Sequence, residues 1–174
     1  MKHLKGFLFI LIGLFIIVTL FSLLIPSTVT IARGVAINSD ANKVYNEIAN
    51  LRNWKHWHPV FKPDSLNVHY SADSGLNSYC EWETNGKTNR LQIDSLNADR
   101  ISISLKRPGQ QTIQNTIRLL PIPADRNVQV EWRAFIKLKW YPWEKFYGIF
   151  IDKLTGPGYE AALNGLKTYA ETGN

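Results

Sequence analysis

The sequence predicts an α+β protein: an antiparallel sheet of about six or seven strands, one face covered by a long C-terminal helix, carried on an N-terminal transmembrane helix. Three observations predict it. In VQVEWRAFIKLKW, Val128, Val130, Trp132, Ala134, Ile136, Leu138 and Trp140 point one way, while Gln129, Glu131, Arg133, Lys137 and Lys139 point the other. Only Phe135 breaks this alternation, which is that of a strand with one covered and one wet face. In WEKFYGIFIDKL, Trp143, Phe146, Tyr147, Phe150, Ile151 and Leu154 form a wide apolar helical stripe suited to cover that sheet. Finally, FLFILIGLFIIVTLFSLLI, Phe7 to Ile25, carries no charge.

A helix needs about 20 apolar residues to cross roughly 30 Å of hydrocarbon. A cleaved signal peptide has a shorter apolar core, about 7–15 residues, before a small-x-small site. LLIPSTVT offers no such site. Residues 1–26 therefore read as a retained anchor and 27–174 as one domain. Lys2 and Lys5 precede the span and Arg33 is the first basic residue after it. The positive-inside rule then places the N-terminus in the cytoplasm and the domain outside it, periplasmic in a bacterium. The link from Ile25 to the first strand is two or three residues, a tether of order 10 Å that holds the domain on the bilayer.

The elements follow in order. In TVTIARGVAI, Val29, Ile31, Val35 and Ile37 share a strand face, interrupted by Arg33. Asn38-Ser39-Asp40 supplies N-cap residues for a helix bearing Val44, Tyr45, Ile48 and Leu51. LRNWKHWHPVF forms a second short helix that Pro59 and Pro63 end. SLNVHYSA and NSYCEWET read as strands, and Asn85-Gly86 turns the chain into KTNRLQID. DRISISLKR and QTIQNTIRLL follow, with a connection at Pro121–Asp125. In the last segment Gly156-Pro157-Gly158 is expected to kink or break the helix, before Tyr159, Ala162, Leu163, Leu166 and Tyr169 resume its stripe. The lone Cys80 reads as a core residue, since one thiol cannot form an internal disulfide.

From Val29 to Glu171 this order resembles the START-like, helix-grip superfamily (SRPBCC), in its polyketide cyclase/dehydratase-like branch. The resemblance rests on VAINSDANKVYNEIANLRNWKHWHPVF, YCEWETNGKTNRLQI, VQVEWRAF and YEAALNGLKTYAE. It implies a curved sheet gripping the C-terminal helix, with an apolar cavity between them. It implies no single chemistry, because a fold hosts functions and does not specify one.

The cavity is expected to be lined by Trp54, Trp57, Tyr70, Trp82, Ile103, Trp132, Ala134, Ile136, Tyr147, Phe150, Ile151, Ala162 and Leu166. Trp54 and Trp57, i and i+3 on one helix face, chiefly anchor the short helix, each ring removing roughly 150–250 Å² from water. His56 falls outside their stripe and is expected in solvent. Acid–base chemistry has weak candidates in His58, Tyr70, Tyr79, Glu81 and Glu83. Strand parity divides them: Cys80 and Trp82 face one side, Tyr79, Glu81 and Glu83 the other. Neither a metal site nor a cofactor is expected; His69 lies opposite Val68 and Tyr70, which argues against convergent ligands.

The main expectation is a membrane-anchored domain that binds a hydrophobic small molecule or lipid. The alternatives are a cyclase/dehydratase-type enzyme and a protein-interaction module whose cavity is filled by Trp132, Trp140, Phe146, Tyr147 and Phe150. Lys137, Lys139 and Lys145 among Trp140, Tyr141, Trp143 and Tyr147 make a headgroup-level mixture; the competing reading packs those aromatics on the sheet. Nucleic acid is not an expected partner. Removing Lys2 and Lys5 from the formal +6 leaves +4, with basic residues scattered among acids.

Overall fold

The computed structural model describes residues 2–63, 66–71, 74–122 and 127–172, with side chains from Lys5 onward. The apolar run is a single helix, α1 (Lys2–Leu23), long and apolar enough to span a membrane and almost wholly exposed. After it, TVTIARGVAIN extends as β1 (Thr28–Asn38). Asp40 then caps α2 (Ala41–Ala49), its carboxylate accepting the amides of Asn42 and Lys43; such a bond satisfies orphan donors of the first turn.

Single 3₁₀ turns at Leu51–Asn53 and Pro59–Phe61 flank the four-residue α3 (Trp54–Trp57). The strands follow: β2 (Val68–Tyr70), β3 (Tyr79–Thr84), β4 (Lys87–Asn97), β5 (Arg100–Lys106), β6 (Ile113–Ile122) and β7 (Asn127–Lys137). Asn85 and Gly86 both take positive φ, 52° and 69°, the backbone a two-residue hairpin turn requires. The expected connection at Pro121–Asp125 starts inside β6; residues 123–126 lie outside the described part, as do 64–65 and 72–73.

All neighbours pair antiparallel in the order β1-β7-β6-β5-β4-β3-β2. Across the concave face runs α4 (Pro142–Thr172), chiefly against β1. Arg33, the odd charge on the inner face of β1, explains part of that grip. Its guanidinium meets the Asp152 carboxylate at 3.1 Å and the Glu160 carboxylate at 2.6 Å. The core holds Ile31 and Ile37 of β1, Val128, Val130 and Ala134 of β7, and Ala162, Leu163 and Leu166 of α4.

Three expectations change. Of the kink or break expected at Gly156-Pro157-Gly158, the break does not occur: α4 continues through Pro157, which lies exposed, where the carbonyl left without a donor can turn to solvent. The strand ends at Lys137 rather than Trp140; the Leu138 amide makes one last bond to the Ser27 carbonyl, and beyond it the chain leaves β1. Trp140 is consequently exposed. Most of the stripe Trp143, Phe146, Tyr147, Phe150 and Leu154 also faces outward; of its members only Ile151 is buried. Instead the inner face of this half carries Lys145, Gly148, Thr155 and Gly156. Gly148 and Gly156 explain the choice: a Cβ at the first would collide with the Leu138 side chain, and at the second with the Arg33 guanidinium. The small side of the helix leaves room for these two side chains; the large side would not.

Candidate functional site

The LRNWKHWHPVF corner closes one end of the concave face. Both indoles are buried, and their N–H groups donate to the last carbonyls of α2: Trp54 Nε1 to Ile48 O at 2.9 Å, Trp57 Nε1 to Glu47 O at 3.3 Å. Such carbonyls have no partner within their own helix. The two rings lie 4.9 Å apart and Trp54 meets Trp132 of β7 edge-on at 5.7 Å. Pro59 opens the next turn, and His58 caps it by accepting the Val60 amide at Nδ1, 3.3 Å away. With Nδ1 accepting, the neutral ring carries its proton on Nε2.

Beyond this corner, α4 leaves the strands on the far side of the sheet uncovered, and a cavity of ≈ 580 Å³ opens there. Trp54, Phe61, Trp82 and Trp132 form its aromatic wall; Leu91, Leu105 and Ile113 form its aliphatic floor. Cys80 and Trp82 are the buried residues of β3, which settles the parity. The interior is therefore not filled by its aromatics.

Polar groups share the lining with this apolar surface. Asn115 sits at an inward position of β6. Its Oδ1 accepts from Trp132 Nε1 at 3.1 Å and from the Tyr159 hydroxyl at 3.2 Å, while Nδ2 donates to the Ile113 carbonyl at 3.2 Å. A buried amide so saturated holds three elements in one geometry. Burial pushes the Tyr159 phenol up to about 12 and His58 down to about 4, so at neutral pH both are uncharged. His58, ringed by Trp54, Trp57, Phe61 and Trp132, faces the same hollow. Lys87, Arg107 and Gln110 stand at the exposed mouth, with Thr155 and Gly158 of α4 across from them.

Register places that mouth. Thr28 pairs with Lys137, Phe135 with Gln114, Ile113 with Leu105, Lys106 with Arg90, and Thr84 with Lys87. The turns holding Lys87 and Arg107 thus lie at the end of the sheet where β1 emerges from α1.

Of the residues singled out in the sequence, Trp54, Trp82, Trp132 and His58 border this cavity. Trp57, Ile103, Ala134, Ile151, Ala162 and Leu166 are buried in the core outside its lining, and Ile136 is half-buried. Tyr147 and Phe150 point to the outside. Tyr70 borders a separate pit beneath Arg52, too small for more than a water. Glu83 is exposed, and Glu81 pairs with Arg90 at 3.2 Å on the sheet's outer face, where Arg90 also covers the Tyr79 ring. His69 is exposed on β2. His56 is not simply solvated: it stacks on Tyr169 at 5.1 Å and lies 3.6 Å from Glu47. Sequence reasoning missed Asn89, Asn115 and Tyr159. The signal was present for Asn115, a polar residue at an inward strand position between Ile113 and Ile117.

No family model and no curated protein matches the chain. Solved structures do. A protein of unknown function from Staphylococcus aureus superposes with a TM-score of 0.63 at 12% identity, over 84% of this chain and 95% of that one. CalU16 from Micromonospora echinospora gives 0.56 at 13% identity, over 81% and 75%. The third, DynU16 of the dynemicin biosynthetic locus, gives 0.59 at 13%, over 83% of this chain and 48% of that one. With its seven-stranded sheet wrapped on a C-terminal helix, the domain has a helix-grip fold. At such identities the helix-grip likeness speaks for fold alone.

Proposed function

We propose that this helix-grip domain, held at a membrane by α1, binds a hydrophobic small molecule or lipid in its cavity. The observation that carries the reading is the cavity itself: ≈ 580 Å³, with an aromatic and aliphatic inner wall, a hydrogen-bonded Asn115–Tyr159 pair, and polar residues toward the mouth. Binding sites for drug-sized molecules are typically about 300–1,000 Å³ and built in this way. Lys87, Arg107 and Gln110 at the mouth suit an amphipathic occupant, its apolar body against Trp82, Leu91 and Leu105 and its polar or anionic end outward. The charge asymmetry around α1 supports a cytoplasmic N-terminus and a domain on the opposite side.

The test compares full-length chains that differ only in the hollow. Native mass spectrometry from detergent is expected to show a retained apolar molecule in the wild type and its loss in Leu105→Trp, which fills the floor. Equal retention by both chains would place the molecule on the surface and sink the reading.

A second reading has its own support. His58 and Tyr159 border the cavity, each with an orienting hydrogen bond, as cyclase- or dehydratase-type acid–base catalysis would need. Binding is preferred because a histidine held down to about 4 is a weak base at neutral pH, and a phenol pushed up to about 12 is a weak acid.

A further inference from the structure

The first half of α4 carries a surface that the cavity does not use. Trp143, Phe146, Tyr147, Ile149, Phe150 and Leu154 are all exposed; of the charges from Trp143 to Leu154, Lys153 is exposed, Asp152 is half exposed and held by Arg33, Glu144 is partly buried and Lys145 is buried. At 1.5 Å per residue this face runs about 17 Å along the helix. A soluble monomer seldom leaves so continuous an apolar face in water.

Its neighbour indicates what covers it. The Lys145 side chain, on the side of α4 away from Trp143, Tyr147 and Phe150 and 3% exposed, donates its ammonium to the Ile25 carbonyl at 2.9 Å and to Ser27 Oγ at 2.7 Å. α1 touches α4 and its Ser22 is fully buried. A helix of membrane-spanning character therefore ends against the helix whose outer face is apolar. The Lys145 clamp also fixes the rotation of α4. Trp143, Tyr147 and Phe150 lie two or five places from it, roughly opposite around a helix of 3.6 residues per turn, and must turn outward. Tryptophan and tyrosine mixed with aliphatic residues are favoured at the headgroup level.

We propose that the N-terminal half of α4 lies in the membrane interface as a second lipid contact beside α1. The occupant of this face is the bilayer surface, and the inference rests on the reading of α1 as a membrane span. It deepens the proposed function, because the contact sets the domain's orientation and presents the end of the sheet bearing the cavity mouth to the lipid from which an apolar ligand would come.

The full chain in phosphatidylcholine–phosphatidylglycerol vesicles tests this, with a bimane label at Ile149→Cys, Ile16→Cys or Gln129→Cys. Cys80 is buried and its thiol is pushed up to about 12, so it escapes labelling. Shallow spin-labelled lipids are expected to quench the label at 149 about threefold or more over that at 129, which sits on the outer face of the sheet near its far end. A Tyr147→Cys label should repeat this if the first variant folds poorly. Quenching at 149 no greater than at 129, with 16 quenched by deep labels, overturns the interfacial helix alone. If 16 also escapes, α1 is not in the bilayer and both readings fall. A disulfide crosslink between two Ile149→Cys chains that survives dilution with lipid assigns the face to a second copy, and overturns the proposal too.

Discussion

The two halves of α4 carry similar apolar stripes and meet opposite fates. From Tyr159 onward the large residues go inward: Leu163 and Leu166 are 1% exposed and Ala162 and Ala170 pack beside them. From Pro142 to Gly156 the large residues other than Ile151 go outward, Trp143 at 62% and Leu154 at 64% exposed, while Lys145, Gly148, Thr155 and Gly156 face the sheet. Amphipathicity shows that a helix has an apolar side. It does not say whether that side is buried against the sheet or left exposed.

Substitutions should separate the halves by the size of their effects. Leu166→Ala is expected to cost about 2–5 kcal/mol of unfolding free energy in detergent, as a fully buried leucine does. Phe150→Ala, removing more atoms from the outer face, should stay within about 0.5 kcal/mol under the same chemical denaturation. Comparable losses at the two positions would erase the distinction.

Between the halves, at the cavity, His58 supplies a pH test. Its folded pKa, about 4, lies below the ordinary 6.5, so the unfolded chain binds more protons between those values. Stability should thus fall as pH drops through 6.5 and level off near 4. The loss is on the order of 2 kcal/mol after allowance for water in the cavity. His58→Phe should flatten that part of the pH–stability curve.

Glycines sharpen the contrast further. In Gly165→Ala the new methyl would collide with the Trp57 carbonyl, so the C-terminal half should lose about 1–3 kcal/mol. Gly158→Ala meets open space and should gain up to about 1 kcal/mol from helix propensity. Lys145→Met is expected to remove two hydrogen bonds at the junction of α1 and α4, costing about 1–2 kcal/mol. Its readout is faster proteolysis around Ile25–Ser27, with the C-terminal half unchanged.

Much of this was legible in the chain. The charge-free run became α1, Asp40 became a cap, and Asn85-Gly86 became a hairpin turn; each is decided by residues close together in sequence. The alternation Val128, Val130, Trp132, Ala134 likewise named the inner face of β7 without any knowledge of its partner, because strand period is a local property. The lining of the cavity was less legible. Trp54 and Trp132 stood out as large aromatics, whereas Asn115 and Tyr159 gain meaning only when a hydrogen bond joins them across 44 positions.

The sequence by itself therefore determined the elements, their order and the presence of a lipid-like N-terminal helix, since periodicity and capping act within a few residues. The tertiary structure alone decided which side of α4 is buried, which parity of β3 faces inward and how much space remains beneath the helix. Those outcomes depend on how closely two backbones distant in sequence can approach. At Gly165 that distance is set by the absence of a side chain, and at Gly148 and Gly156 the same absence leaves room for the Leu138 and Arg33 side chains.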